Sequence, residues 1–128
     1  MVPMTTLLYV DDEEPIGRLI SRYFSRRGDR VFLARTIAEA QAVLEVEEPN
    51  AILVDVWLGP ESGVELVNWL SERSPHLVER VTFVTGERLD RYQVGLRGAV
   101  VDCPVIHKPF ELTELASYID DAGSRAGA

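Results

Sequence analysis

The sequence is almost without lysine. Of its 13 basic residues, Lys108 is the single lysine and the rest are arginine. An ammonium has been kept at one place, directly before Pro109, and a compact ammonium is chemically unlike a planar guanidinium. Cysteine is nearly absent too. Cys103 stands alone, which excludes an internal disulfide, and it cannot by itself form a zinc site. There is no excess of positive charge either. The formal net charge is −8, so direct binding of nucleic acid or of an anionic membrane lacks the basic face it needs. No apolar run approaches the roughly eighteen residues of a membrane span. Met1-Val2-Pro3-Met4-Thr5 has no basic flank, as a signal peptide would. These absences predict a cytoplasmic soluble domain with neither nucleic acid nor membrane as a partner. A chain of 128 residues is large enough for one core that buries about two-thirds of its unfolded surface.

What the sequence does contain is a set of short apolar runs with abrupt polar ends. Leu7-Leu8-Tyr9-Val10 stops at Asp11-Asp12, and Ala51-Ile52-Leu53-Val54 stops at Asp55. Val81-Thr82-Phe83-Val84 stops at Thr85, and Pro104-Val105-Ile106-His107 stops at Lys108. Such runs read as buried strands of a parallel sheet. Val31-Phe32-Leu33-Ala34 supplies a fifth.

Helical periods lie between the runs. Ile16, Leu19, Ile20, Tyr23 and Phe24 mark an apolar face, with Pro15 in the first turn and Gly28 at the end. Thr36 with Glu39, and Ser62 with Glu65, have capping-box spacing. A weaker helix is expected over residues 89–96, and a last one from Glu111 carries Leu112, Leu115, Ala116 and Ile119. Trp69 is expected in the core. Strict alternation of strand and helix predicts an α/β, doubly wound five-stranded parallel sheet with helices on both faces. Order 2-1-3-4-5, the flavodoxin-like order, places strands one and three side by side at the switch point, where Asp11, Asp12 and Asp55 would meet. The expected domain covers residues 5–122, with a disordered tail over 123–128. The residues outside the domain are too few for a DNA-binding or catalytic output domain.

Carboxylates crowded at strand ends repel one another by roughly 4 kcal/mol per close pair. Such a cluster raises a pKa or recruits a cation. With oxygen ligands only, magnesium is the natural cation, and manganese can substitute. Asp55, alone at the end of the central strand, is the candidate nucleophile, and attack on phosphorus would give an acyl phosphate. Lys108 would place a point charge on one phosphate oxygen, and the Thr85 hydroxyl would donate to another. Phosphoryl transfer depends mainly on positioning and charge stabilisation, so this short set of parts suffices.

With these residues in view, the chain resembles the receiver domain of two-component response regulators over roughly residues 6–120. The matching pieces are Val10-Asp11-Asp12-Glu13, Asp55-Val56-Trp57-Leu58 with Gly63 eight positions after Asp55, Thr85-Gly86, and Lys108-Pro109-Phe110. The last piece and the strand before it look more like receivers of hybrid sensor kinases, or stand-alone receivers, than those of DNA-binding regulators. The resemblance implies that Asp55 is phosphorylated by a histidine kinase or a histidine phosphotransfer protein. It implies that Asp12, Asp55 and the backbone carbonyl of Trp57 hold magnesium directly, with Asp11 acting largely through water. It also implies a cis peptide before Pro109 that helps aim Lys108. The downstream effector is not legible.

Three departures stand out. Val105 occupies the place of the usual switch aromatic. Gly59 stands where the loop proline is usual, with Pro60 next. Trp57 is bulky for a position flanking the phosphoryl group, and so a candidate for shaping the site. Glu87, two residues after Thr85, is placed to hold a water on the other side. Glu13 and Glu14 read as first-turn helix charges, and His107 is expected to face away from the site.

A receiver-like interaction module with vestigial phosphorylation is favoured by Val105 and disfavoured by the intact acids, threonine and lysine. An aspartate-nucleophile phosphatase would want an aspartate where Trp57 stands. A flavin carrier would want a phosphate-cradling loop where Asp11-Asp12-Glu13-Glu14 stands.

Overall fold

A computed structural model of the chain describes residues 5–86 and 103–127. Its main sheet is built from β1 (Thr6–Val10), β2 (Arg30–Ala34), β3 (Ala51–Asp55), β6 (Val81–Thr85) and β7 (Val105–His107). The strands are parallel in the order β2-β1-β3-β6-β7. Taken as the first to fifth strands of the sheet, they have the expected order 2-1-3-4-5. The helices are α1 (Glu14–Arg26), α2 (Ile37–Val46), α3 (Gly63–Arg73) and α4 (Leu112–Gly127). The helix expected over residues 89–96 lies outside the described residues.

Successive strand residues point to opposite faces, so each strand feeds two cores. Leu8, Val10, Ile52 and Val54 pack with Ala40 of α2 and with Leu66 and Leu70 of α3. Leu7, Tyr9 and Leu53 pack with Ile20 and Phe24 of α1 and with Leu115 and Ile119 of α4. Burial on both faces accounts for the unbroken apolar runs.

The helix starts follow local chemistry. Pro15 lies in the first turn of α1, and Gly28 beyond its end takes φ +97°. Thr36 accepts the Glu39 N–H at 3.1 Å, while the Glu39 side chain reaches back to the Arg35 N–H at 3.0 Å. Ser62 caps α3 through the Val64 N–H at 3.2 Å.

Several local details differ from expectation. Leu19 is 53% exposed, because the apolar face of α1 is spent on Ile20 and Phe24. Trp69 is only half-buried and carries the Arg73 guanidinium 4.9 Å from its ring centre. A 3-10 helix spans Pro75–Arg80. The loop after Asp55 is a small hairpin of β4 (Trp57–Leu58) and β5 (Glu61–Ser62). Lastly, α4 continues through Gly127, where a disordered tail from residue 123 is expected. Alanine has the highest helix propensity, and Ala122 and Ala126 favour that continuation.

Candidate functional site

The carboxyl ends of β1, β3, β6 and β7 bring Asp11, Asp55, Thr85 and Lys108 to one edge of the sheet. Asp11 continues the pairing of β1, donating its N–H to the Ala34 carbonyl at 3.0 Å. Asp55 is the last residue of β3. Thr85 closes β6 and is fully buried, and its carbonyl accepts the Lys108 N–H at 2.8 Å. The Lys108–Pro109 peptide is cis, as the resemblance implies.

Asp11 and Asp55 are held alike. Asp11 Oδ1 accepts the Glu13 N–H at 3.0 Å, and Asp55 Oδ1 accepts the Trp57 N–H at 2.9 Å. Each carboxylate is thus tied to the backbone two residues on, as in an Asx turn. Their Oδ2 atoms converge on Lys108, whose Nζ lies 2.8 Å from each. Glu13 Oε1 takes a third contact at 3.1 Å. Burial alone would lower the Lys108 pKa, but the hydrogen bonds to Asp11 and Asp55 outweigh it and hold the ammonium above the usual lysine range. Burial raises the Asp55 carboxyl, and Lys108 and the Trp57 N–H only partly offset that.

Glycine is required beside this edge. A Cβ on Gly63 would lie 2.2 Å from the Asp55 carbonyl oxygen and 2.8 Å from Val54 Cγ2. The start of α3 therefore packs directly on the backbone that presents Asp55. Gly59 takes φ +60°, and a Cβ there would stand 3.9 Å from Asp12 Oδ2.

Oxygen atoms of Asp11, Glu13 and Asp55 lie within 4.8 Å of one another. Charged hard oxygens suit magnesium, so the donor set fits such an ion. Among the described residues, however, this trio is not the set expected from the sequence. Asp12 is exposed and outside it, whereas Glu13 belongs to it. Glu13 is not in the first turn of α1 but at the cap before it, which turns its side chain toward Lys108. Trp57 is half-buried on β4, Pro109 and His107 are exposed, and Glu87 lies outside the described residues.

Sequence reasoning missed Tyr9. Its ring is buried in the core, and its hydroxyl donates to Asp11 Oδ2 at 2.7 Å. Burial, then the charge of Asp11, push the phenol pKa well up, so the hydroxyl is a fixed donor. Strand alternation was the available signal, since residues 9 and 11 share a face.

A model of the response regulator receiver domain matches residues 7–120. The phosphate regulon transcriptional regulatory protein PhoB of Pseudomonas aeruginosa is 32% identical over 124 residues, covering 95% of this chain and 53% of that protein. The chain spans about half the length of the curated relatives it matches. A CheY-like receiver domain protein of Methanospirillum hungatei superimposes with a TM-score of 0.82 at 25% identity, over 98% of both chains. A response regulator of Burkholderia pseudomallei, solved with a phosphorylated aspartic acid, calcium ion and citrate, is 26% identical with a TM-score of 0.76, over 96% of this chain and 71% of that one. The chain belongs to the response regulator receiver domain family. It is a switch module of two-component signalling rather than a classical enzyme, of a kind that generally works with a kinase and with magnesium.

Proposed function

We propose that the chain is a phosphorylatable switch whose acceptor is Asp55, with residues 5–122 as the working module. The observation that carries this reading is the convergence of Lys108 on Asp55 and Asp11 at 2.8 Å each. The donor is phosphohistidine on a histidine kinase or a histidine phosphotransfer protein, in the cytoplasm. One Asp55 oxygen forms the new bond to phosphorus as the phosphorus–nitrogen bond breaks, and that electron pair stays on the imidazole nitrogen. Lys108 follows the transferred group and neutralises one of its oxygens, and Thr85 donates to another. Asp55 is already aimed by the Trp57 N–H.

Magnesium, or manganese in its place, would be held by Asp55 with Asp12, Asp11 and the Trp57 carbonyl, and Glu13 is close enough to join them. When bound it neutralises charge on the phosphoryl oxygens. Trp57 shapes the approach on one side, Glu87 on the other, and Pro109 helps aim Lys108. The module catalyses its own phosphorylation and dephosphorylation, and it signals by surface contact with a protein effector.

Intact mass after incubation with acetyl phosphate and magnesium tests the reading. One phosphoryl group is expected on the wild type and none on Asp55→Asn. No gain on the wild type, or an equal gain on the variant, would overturn it.

A further inference from the structure

Asp11 has more donors on it than the switch chemistry asks for. Its side chain is fully enclosed. Oδ1 takes the Glu13 N–H, while Oδ2 takes both Lys108 Nζ and the Tyr9 hydroxyl. These two donors to Oδ2 differ in one respect. Lys108 is shared among three carboxylates on a flexible stem, so it is the one that shifts when a cation or a phosphoryl group enters. Tyr9 cannot follow. Its ring sits in the core cluster with Leu7, Ile20, Phe24 and Leu53, and interiors are close-packed. Phenylalanine would fill that core equally well, so the hydroxyl calls for a polar reason.

We propose that Tyr9 is a positioning residue, whose hydroxyl keeps the Asp11 carboxylate aimed into the acidic cluster independently of Lys108 and so sets how tightly the cluster takes magnesium. This rests on the switch reading above. With one fixed donor on each oxygen, the plane of the carboxylate is pinned before any cation arrives. Without the hydroxyl, Oδ2 is held only by the ammonium that must leave, and the carboxylate is freed as the cation enters. The ordering cost then falls on cation binding.

The test is calorimetric titration with magnesium alone, together with phosphorylation by acetyl phosphate at graded magnesium, for wild type and Tyr9→Phe. The dissociation constant and the half-saturating magnesium are each expected to rise about five-fold, the scale of one hydrogen bond. The rate at saturating magnesium should stay within about two-fold. In an Asp11→Ala background the same substitution should be silent, because the hydroxyl has nothing left to aim. An unchanged dissociation constant in Tyr9→Phe, or an equal shift in the Asp11→Ala background, would overturn the proposal while leaving the switch reading intact. A wild type that neither binds magnesium nor accepts phosphate would remove both.

Discussion

The ion pairs at the carboxyl edge of the sheet and those on the flank joining α2 to α3 obey different rules. At the carboxyl edge of the sheet, Lys108 is 12% exposed and its partners Asp11 and Asp55 are 0% and 7% exposed. On the flank joining α2 to α3, Arg73 meets Glu45 at 3.1 Å with both side chains about half exposed. Nearby, His76 pairs with Glu48, and the Arg80 guanidinium donates to the Pro49 carbonyl at 2.9 Å. Between Arg73 and Glu45, and between His76 and Glu48, water would solvate either group left alone, so such pairs are worth little. At the sheet edge it would not, and losing one partner strands the others. Counting ion pairs would rank the two regions alike, whereas burial ranks the sheet edge first.

The sharpest way to break this comparison is to remove the ammonium. Lys108→Ala should lose about 3 kcal/mol or more of stability without divalent cations, because two enclosed carboxylates are left uncompensated. Added magnesium should restore part of it. A loss below about 1 kcal/mol in urea unfolding would put the sheet edge in the same class as the flank.

Alkaline pH probes the same edge with no substitution. Tyr9 and Lys108 both keep their protons to higher pH when folded than when unfolded. The stability they confer is therefore complete below about pH 10 and is lost as pH rises further, by at most about 1.4 kcal/mol per pH unit for each group. Tm followed from pH 8 to 11 should fall at the upper end, and Tyr9→Phe should flatten that fall. A Tm that stays level to pH 11 in the wild type would contradict the assignment.

The smallest effect belongs to the flank. Glu45→Gln should change stability by about 0.5 kcal/mol or less at low salt, and by still less at high salt. A larger loss that survives high salt would show that the flank is not solvated as its exposure implies.

Much of this arrangement was legible in the sequence, for reasons that separate it from the rest. Buried parallel strands demand unbroken apolar runs, so Asp55, Thr85 and Lys108 announced themselves where the runs stop. Thr36 announced the start of α2, because a cap is a local contact between near neighbours. The choice among Asp11, Asp12 and Glu13 was not legible, since four consecutive acids carry no pattern and the turn out of β1 decides which of them meet Lys108. The β4–β5 hairpin escaped because two-residue strands are too short to show a period. Tyr9 escaped because a tyrosine inside an apolar run reads as core, although strand alternation sets it on the face that Asp11 shares.

The solitary lysine also gives this chain a built-in reporter. Apart from the terminal amine, Lys108 carries the only primary amine in these 128 residues. Acylating reagents attack neutral amines, and this one is kept charged and largely covered by carboxylates. Its slow labelling therefore counts the moments when the ammonium leaves its partners and loses its proton. Labelling at Lys108, read apart from the terminal amine on the peptide that carries it, becomes a clock for the opening of the site.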